Sequence, residues 1–219
     1  MINKKVIDED YIEVDDLDSL LTQMDINVKK DIKDFSDLIN LDSSLKREIF
    51  IGGEITDGIG SSTDSIIRFW NTYDDNRNIP IDQRIPIKVY IDSVGGSLVD
   101  TLTIIDSIKL SKTPVWTIAV GAAYSGGCFI VMSGHRRIGY KHSSYLFHEG
   151  STQTGGTSSQ FENYSKFYKT QLEQLSEIVL TNTNLTTEWY KEHKKEDMWF
   201  TAQEALDAGI IDEIATDLF

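Results

Sequence analysis

From Arg47 onward the apolar positions fall into short β-branched runs, separated by longer stretches in which they recur every three or four residues. Residues 48–55 (EIFIGGEI) and 87–91 (IKVYI) read as strands, as do 115–120, 137–140, 145–147 and 210–215. Residues 62–73 place Ile66, Ile67 and Trp70 on one helical side, and Leu98, Leu102, Ile105 and Ile108 repeat at helical spacing over 97–110. Ser97 with Asp100 predicts a capping box for that second helix. Residues 125–132 form an apolar helix entered from a turn at 121–125. Phe161, Tyr164, Tyr168, Leu172, Leu175 and Val179 step by three or four along a further helix of about 22 residues. Thr201 with Glu204 caps a last short helix, with Gly209 as its C′ residue. Repeated strand–helix alternation predicts an α/β fold with parallel strands and right-handed crossovers.

Residues 1–46 break the pattern. They hold 12 of the 35 acidic residues and no arginine, and only Leu17, Leu20, Leu21 and Met24 outline a short helix. They read as an acidic extension, partly helical or mobile, and 47–219 as one domain.

Charge then narrows the partners. A net charge of −14 and the lack of any basic stripe exclude nucleic acid and anionic membrane, which need a cationic surface. A single cysteine, Cys128, excludes a disulfide framework and paired-cysteine zinc sites, and it reads as a buried small hydrophobe. Residues 114–123, the longest apolar stretch, are too few to span a bilayer, and the N-terminus lacks an apolar secretion signal. The expected location is the cytoplasm, with no metal or cofactor.

Two glycine-rich segments carry candidate chemistry. In GAAYSGGC, Ser125 stands after a buried strand and before an apolar helix, where unpaired N–H groups and the helix dipole favour developing negative charge. That placement would expose Oγ and offer the Gly126 N–H to an oxyanion. The same small residues also suit close packing of a helix on a sheet. In DSVGGS, Gly95 and Gly96 follow a strand and open a helix, which fits an oxyanion donor, a phosphate cradle or a plain turn. The phosphate reading is weak because neither GxGxxG nor GxxxxGK[ST] is present. Among four histidines, His135, His142 and His193 fall in polar surroundings, whereas His148 ends the apolar run YLFH. Asp197, Asp207 and Asp212 all remain open as a partner acid.

Taken together, these segments resemble the ClpP family, peptidase family S14, over roughly Arg47 to Ala215. REIFIGGEI is similar to that family's opening strand, VYIDSVGGS to its YINSPGG segment and GAAYSGGC to its GxAASMGA nucleophile segment. YLFHEG resembles the family's MIHQP segment, and EDMWFTAQEALDAGIID its RDxFxSAxEAxxYGLID ending. Gly96 to Ser125 spans 29 residues and His148 to Asp197 spans 49, as in the family. The resemblance implies a crotonase-like β-β-α spiral with a protruding strand–helix handle at about 150–182. It implies Ser125 as nucleophile, His148 as base, Asp197 as orienting acid, and the Gly96 and Gly126 N–H groups as oxyanion donors. It also implies stacked heptameric rings enclosing the sites, peptide or unfolded-protein substrates, and an AAA+ unfoldase as feeder.

This sequence departs from the pattern in several places. SVGG replaces SPGG, and YSGG replaces ASMG, which puts bulky Tyr124 before the serine and Gly126 at the oxyanion position. The Ser125–His148 interval is about two residues shorter than in housekeeping members, within GHRRIGYKH, and the loop at 74–86 is longer. These features fit a divergent member, phage-encoded or accessory. The alternatives are an inactive assembly subunit, a phage capsid or scaffold maturation protease, and a crotonase-type acyl-CoA enzyme. The last is disfavoured by the acidic surface. A Ser–Lys peptidase of the signal-peptide-peptidase type is disfavoured because Lys141 lies in a turn and no membrane anchor is evident.

Overall fold

The computed structural model describes Ser43, residues 45–150 and residues 154–218. The chain separates into two units, Met1–Ile49 and Phe50–Phe219, and the second contains nearly all of the sheet. The helix read around Leu17 to Met24 lies outside the described residues.

Seven strands occur among the described residues: β1 (Glu48–Ile55), β2 (Ile87–Gly96), β3 (Val115–Tyr124), β4 (Arg136–Gly139), β5 (Ser144–Phe147), β6 (Met198–Thr201) and β7 (Glu213–Ile214). Six α-helices accompany them: α1 (Ile59–Asn76), α2 (Leu98–Leu110), α3 (Gly126–Met132), α4 (Ser158–Asn182), α5 (Thr187–His193) and α6 (Ala202–Asp207). The sheet runs β1-β2-β3-β4-β7, with β5 pairing β3 and β6 pairing β5. The β2/β3, β3/β4, β3/β5 and β4/β7 pairs are parallel, whereas β5/β6 is antiparallel. The α/β expectation therefore holds, with one antiparallel pair it did not include. Helix α3 is buried throughout and packs on the face of the sheet that carries Val89 and Ile91 of β2, while Tyr90, Ile118 and Ile138 cluster on the other face. Each such side chain contributes about 1.5–3 kcal/mol by leaving water.

Several boundaries differ from the sequence reading for identifiable reasons. Helix α1 begins three residues earlier than expected because its first N–H groups are capped from a distance. Asp100 Oδ1 accepts from Gly58 N at 3.0 Å and from Gly60 N at 2.9 Å. The same carboxylate accepts from Ser97 Oγ, so Ser97–Asp100 forms only half a capping box, while Ser97 N donates to Ile55 O. Strands β2 and β3 run on through stretches read as turns. The box of Thr201 and Glu204 has both of its hydrogen bonds, as does one formed by Thr157 and Gln160 at the start of α4. The terminal strand shrinks to β7, and α5 has no counterpart in the expectation.

One irregularity positions the rest. Along β3 the register with β2 runs from Ile87↔Val115 to Ile91↔Ala119, then jumps to Ser93↔Ala123, a β-bulge. Asp92 Oδ1 accepts from Ala122 N at 2.8 Å and so satisfies a backbone group within the irregular stretch. At this point β3 also changes neighbour. Residues 116–119 pair with β4, whereas Ala122, Ala123 and Tyr124 pair with β5.

Candidate active site

That change of neighbour carries Ser125 to the end of β5. Ser125 N donates to Leu146 O at 2.7 Å, and Ser125 forms the N-cap of α3 with φ 51 and ψ −120. A positive φ is strained for serine, and here it turns the chain sharply from strand into helix so that Oγ faces outward. The register Tyr124↔Leu146 on one side and Leu146↔Trp199 on the other forms a single row across β3, β5 and β6. Ser125 follows the row by one residue, His148 by two, and Asp197 precedes it by two on the antiparallel strand.

His148 Nε2 lies 3.0 Å from Ser125 Oγ, within hydrogen-bonding distance. On the other side of the ring, His148 Nδ1 lies 3.7 Å from Asp197 Oδ1, an ion-pair distance too long for a hydrogen bond. The Asp197 side chain is 64% exposed and that of His148 is 30% exposed. The other candidates lie elsewhere: Asp207 accepts from Gln203, and Asp212 pairs with Arg137. His135 Nδ1 accepts from Val115 N, and His193 stacks on Trp189. Cys128 is fully buried, and burial pushes its thiol pKa up, as suits a packing residue.

Ser125, His148, Gly96 and Gly126 border one cleft of about 550 Å³. Its far wall comes from α4, through Tyr164, Phe167 and Tyr168, and its floor includes Thr101 and Phe129. Gly96 has φ 151, and a Cβ there would lie 2.2 Å from Ile55 O, so only glycine lets the loop lie against β1. A Cβ on Gly126 would stand 2.4 Å from Thr101 Oγ1.

Tyr124, read as crowding the serine, points away from the cleft: its OH is 2.8 Å from Ser144 Oγ, and its ring meets Trp199 edge-on at 5.1 Å. Along α4 the stripe of Phe161, Tyr164, Tyr168, Leu172, Leu175 and Val179 is buried only at Leu175 and Val179. Phe161 is 58% exposed and Phe167 59%. Thr101 and the α4 aromatics went unnoticed as cleft residues. Their signal was an apolar stripe longer than the neighbouring core could cover.

Among the described residues no group of three His, Cys, Asp or Glu side chains is arranged to hold a metal ion. No described helix is long and apolar enough to cross a membrane.

A serine at a strained strand–helix turn, beside an imidazole and above a cleft, is an arrangement found in hydrolases, and comparison with known proteins narrows the class to peptidases. Residues 29–217 match the family model for Clp protease, and the chain belongs to that family. It is 32% identical over 173 residues to the ATP-dependent Clp protease proteolytic subunit 3 of Rhodococcus jostii (strain RHA1), covering 78% of this chain and 82% of that one. Subunit 2 of Corynebacterium glutamicum is 28% identical over the same length, with 78% and 82% covered. Subunit 2 of Cutibacterium acnes is 30% identical over 170 residues, with 77% and 76% covered.

Proposed function

We propose that the chain is a serine endopeptidase that cuts peptides or unfolded proteins, with Ser125, His148 and Asp197 as its triad. The observation that carries this reading is the 3.0 Å separation of His148 Nε2 and Ser125 Oγ at the edge of the cleft. In this reading Ser125 Oγ–H donates to Nε2 and Oγ attacks the scissile carbonyl as its proton passes to His148. The tetrahedral oxyanion accepts from the Gly96 and Gly126 N–H groups, each worth about 3 kcal/mol to the transition state. Collapse breaks the C–N bond, and His148 returns the proton to the leaving amine. Water, deprotonated by His148, then releases the acyl group and restores Ser125. Asp197 orients the ring through Nδ1 and stabilises the imidazolium.

The active unit in this proposal is a cytoplasmic oligomer of stacked rings that encloses the clefts, with α4 as part of a handle and residues 1–46 as an appended acidic segment. The exposed Phe161 and Phe167 support the assembly, since surface aromatics of this size mark contact sites. The relatives' names include "ATP-dependent" and "proteolytic subunit", which supports an ATPase partner here. A second reading, an assembly subunit without turnover, draws on the 3.7 Å gap between His148 and Asp197.

Fluorophosphonate treatment of the assembled protein, with the adduct mapped by mass spectrometry, separates the two. The expected result is labelling at Ser125 that disappears in Ser125→Ala and falls sharply in His148→Ala. Absence of labelling in the assembled wild-type protein would overturn the peptidase reading in favour of the silent subunit.

A further inference from the structure

Two backbone segments approach each other beside Ser125: the loop 95–97 at the end of β2 and the start of α3 at Gly126. A Cβ built on Gly95 would stand 2.9 Å from Gly126 N, so the segments are in contact at that end. Deeper in, the space between them is filled by Thr101 of α2, which is fully buried. Thr101 Oγ1 donates to Ser97 O at 2.8 Å, and Thr101 N donates to the same oxygen at 3.0 Å. The same Oγ1 occupies the place that a side chain at 126 would need, 2.4 Å from its Cβ position, with Thr101 Cγ2 at 3.4 Å. One side chain therefore ties down the loop on one side and abuts the helix start on the other.

We propose that Thr101 is a positioning residue: it sets the spacing between the Gly96 and Gly126 N–H groups, and thereby the geometry of the oxyanion site. The proposal rests on the serine-peptidase reading above. Its hydroxyl holds the loop through Ser97 O, and its methyl and hydroxyl together hold Gly126 away from the loop. Replacing a larger residue by Gly126 does not loosen the site, because Thr101 supplies the missing volume from the neighbouring helix. Donor placement matters at this scale, since displacements of about 1 Å in a catalytic constellation lower rates by about 10²-fold.

The test uses the full-length assembled protein with a fluorogenic peptide, a peptide aldehyde that forms a tetrahedral adduct with the serine, and the matching peptide amide. Thr101→Val keeps the shape and removes the hydroxyl, whereas Thr101→Ser keeps the hydroxyl. Thr101→Val is expected to lower kcat by about 10- to 100-fold with KM within about threefold. Aldehyde affinity should fall in parallel and amide affinity should hold, while Thr101→Ser stays within about threefold of wild type. A wild-type kcat in Thr101→Val, or an equal loss of aldehyde and amide affinity, overturns the positioning role. If the wild-type protein neither turns over the peptide nor labels at Ser125, the peptidase reading fails first and this inference falls with it.

A second measurement needs no activity. Alanine ordinarily outranks glycine in a helix, yet Gly126→Ala should lower the melting temperature in the wild-type background. In Thr101→Ala, which vacates the space, the same change should lower it no further. An equal drop in both backgrounds overturns the wedge geometry.

Discussion

His148 Nδ1 and Asp197 Oδ1 stand 3.7 Å apart, so the ring is engaged by the serine on one side and not hydrogen-bonded on the other. In the proposed triad, an Asp197 this exposed is screened by water and would have to close on the ring to orient it. Asp197→Asn is expected to lower kcat by about 10²- to 10⁴-fold while fluorophosphonate still labels Ser125 slowly, the upper bound being the loss when the wrong tautomer is held. A near-normal kcat for peptide hydrolysis would show that Asp197 is not the acid.

Tyr124 sits one residue before the serine yet faces Ser144 and Trp199. Tyr124→Phe is expected to leave kcat and KM within about twofold of wild type and to lower the melting temperature by about 2–4 °C, the effect of one lost hydrogen bond in a chain of this size. A loss of activity without a change in melting would put Tyr124 in the reaction after all.

Asp92 answers the backbone at the irregularity where β3 leaves β4 for β5. Asp92→Ala leaves the Ala122 N–H without that acceptor and loosens the turn that carries Ser125. Both kcat and the melting temperature are expected to fall, kcat by about 3- to 10-fold. Unchanged kinetics in this variant would show that the bulge holds its shape unaided.

His135 Nδ1 accepts a hydrogen bond from Val115 N at 2.9 Å, which only the neutral ring can do. Partial burial, and secondarily the charge of Lys109, hold its pKa below the ordinary histidine value. A pKa depressed by folding means that the unfolded chain binds the proton more readily, so this contribution is present above the unfolded value near 6.5 and fades as pH falls. The stability advantage of wild type over His135→Gln should therefore shrink between about pH 7.5 and about pH 5 in thermal melts. An advantage that grows on acidification would contradict the hydrogen-bond assignment.

The strands and helices that pack on their own neighbours were legible in the sequence, because period and capping are local. The 201–207 helix is an example, with Thr201 and Glu204 three residues apart. What escaped depends on distant partners. The start of α1 is capped by Asp100, 42 residues from Gly58. The orientation of Tyr124 follows from pairing with Leu146, which no local pattern encodes. At the site, intervals matched to the ClpP resemblance single out Ser125, His148 and Asp197 together, whereas local chemistry leaves Asp197, Asp207 and Asp212 undivided. The shortened Ser125–His148 interval does not prevent their meeting: the shortening falls at 134–142, upstream of β5, and the register after it brings His148 to the serine.

The row Tyr124–Leu146–Trp199 also fixes an order of events during synthesis. Its first two members are 22 residues apart and its second and third are 53 apart, with α4 and α5 between them. A chain leaving the ribosome thus exposes serine and histidine strands roughly 3–10 s before β6 can join, at about 5–20 residues per second. Through that interval the proposed nucleophile and base exist without the proposed acid, and β5 lacks its antiparallel neighbour.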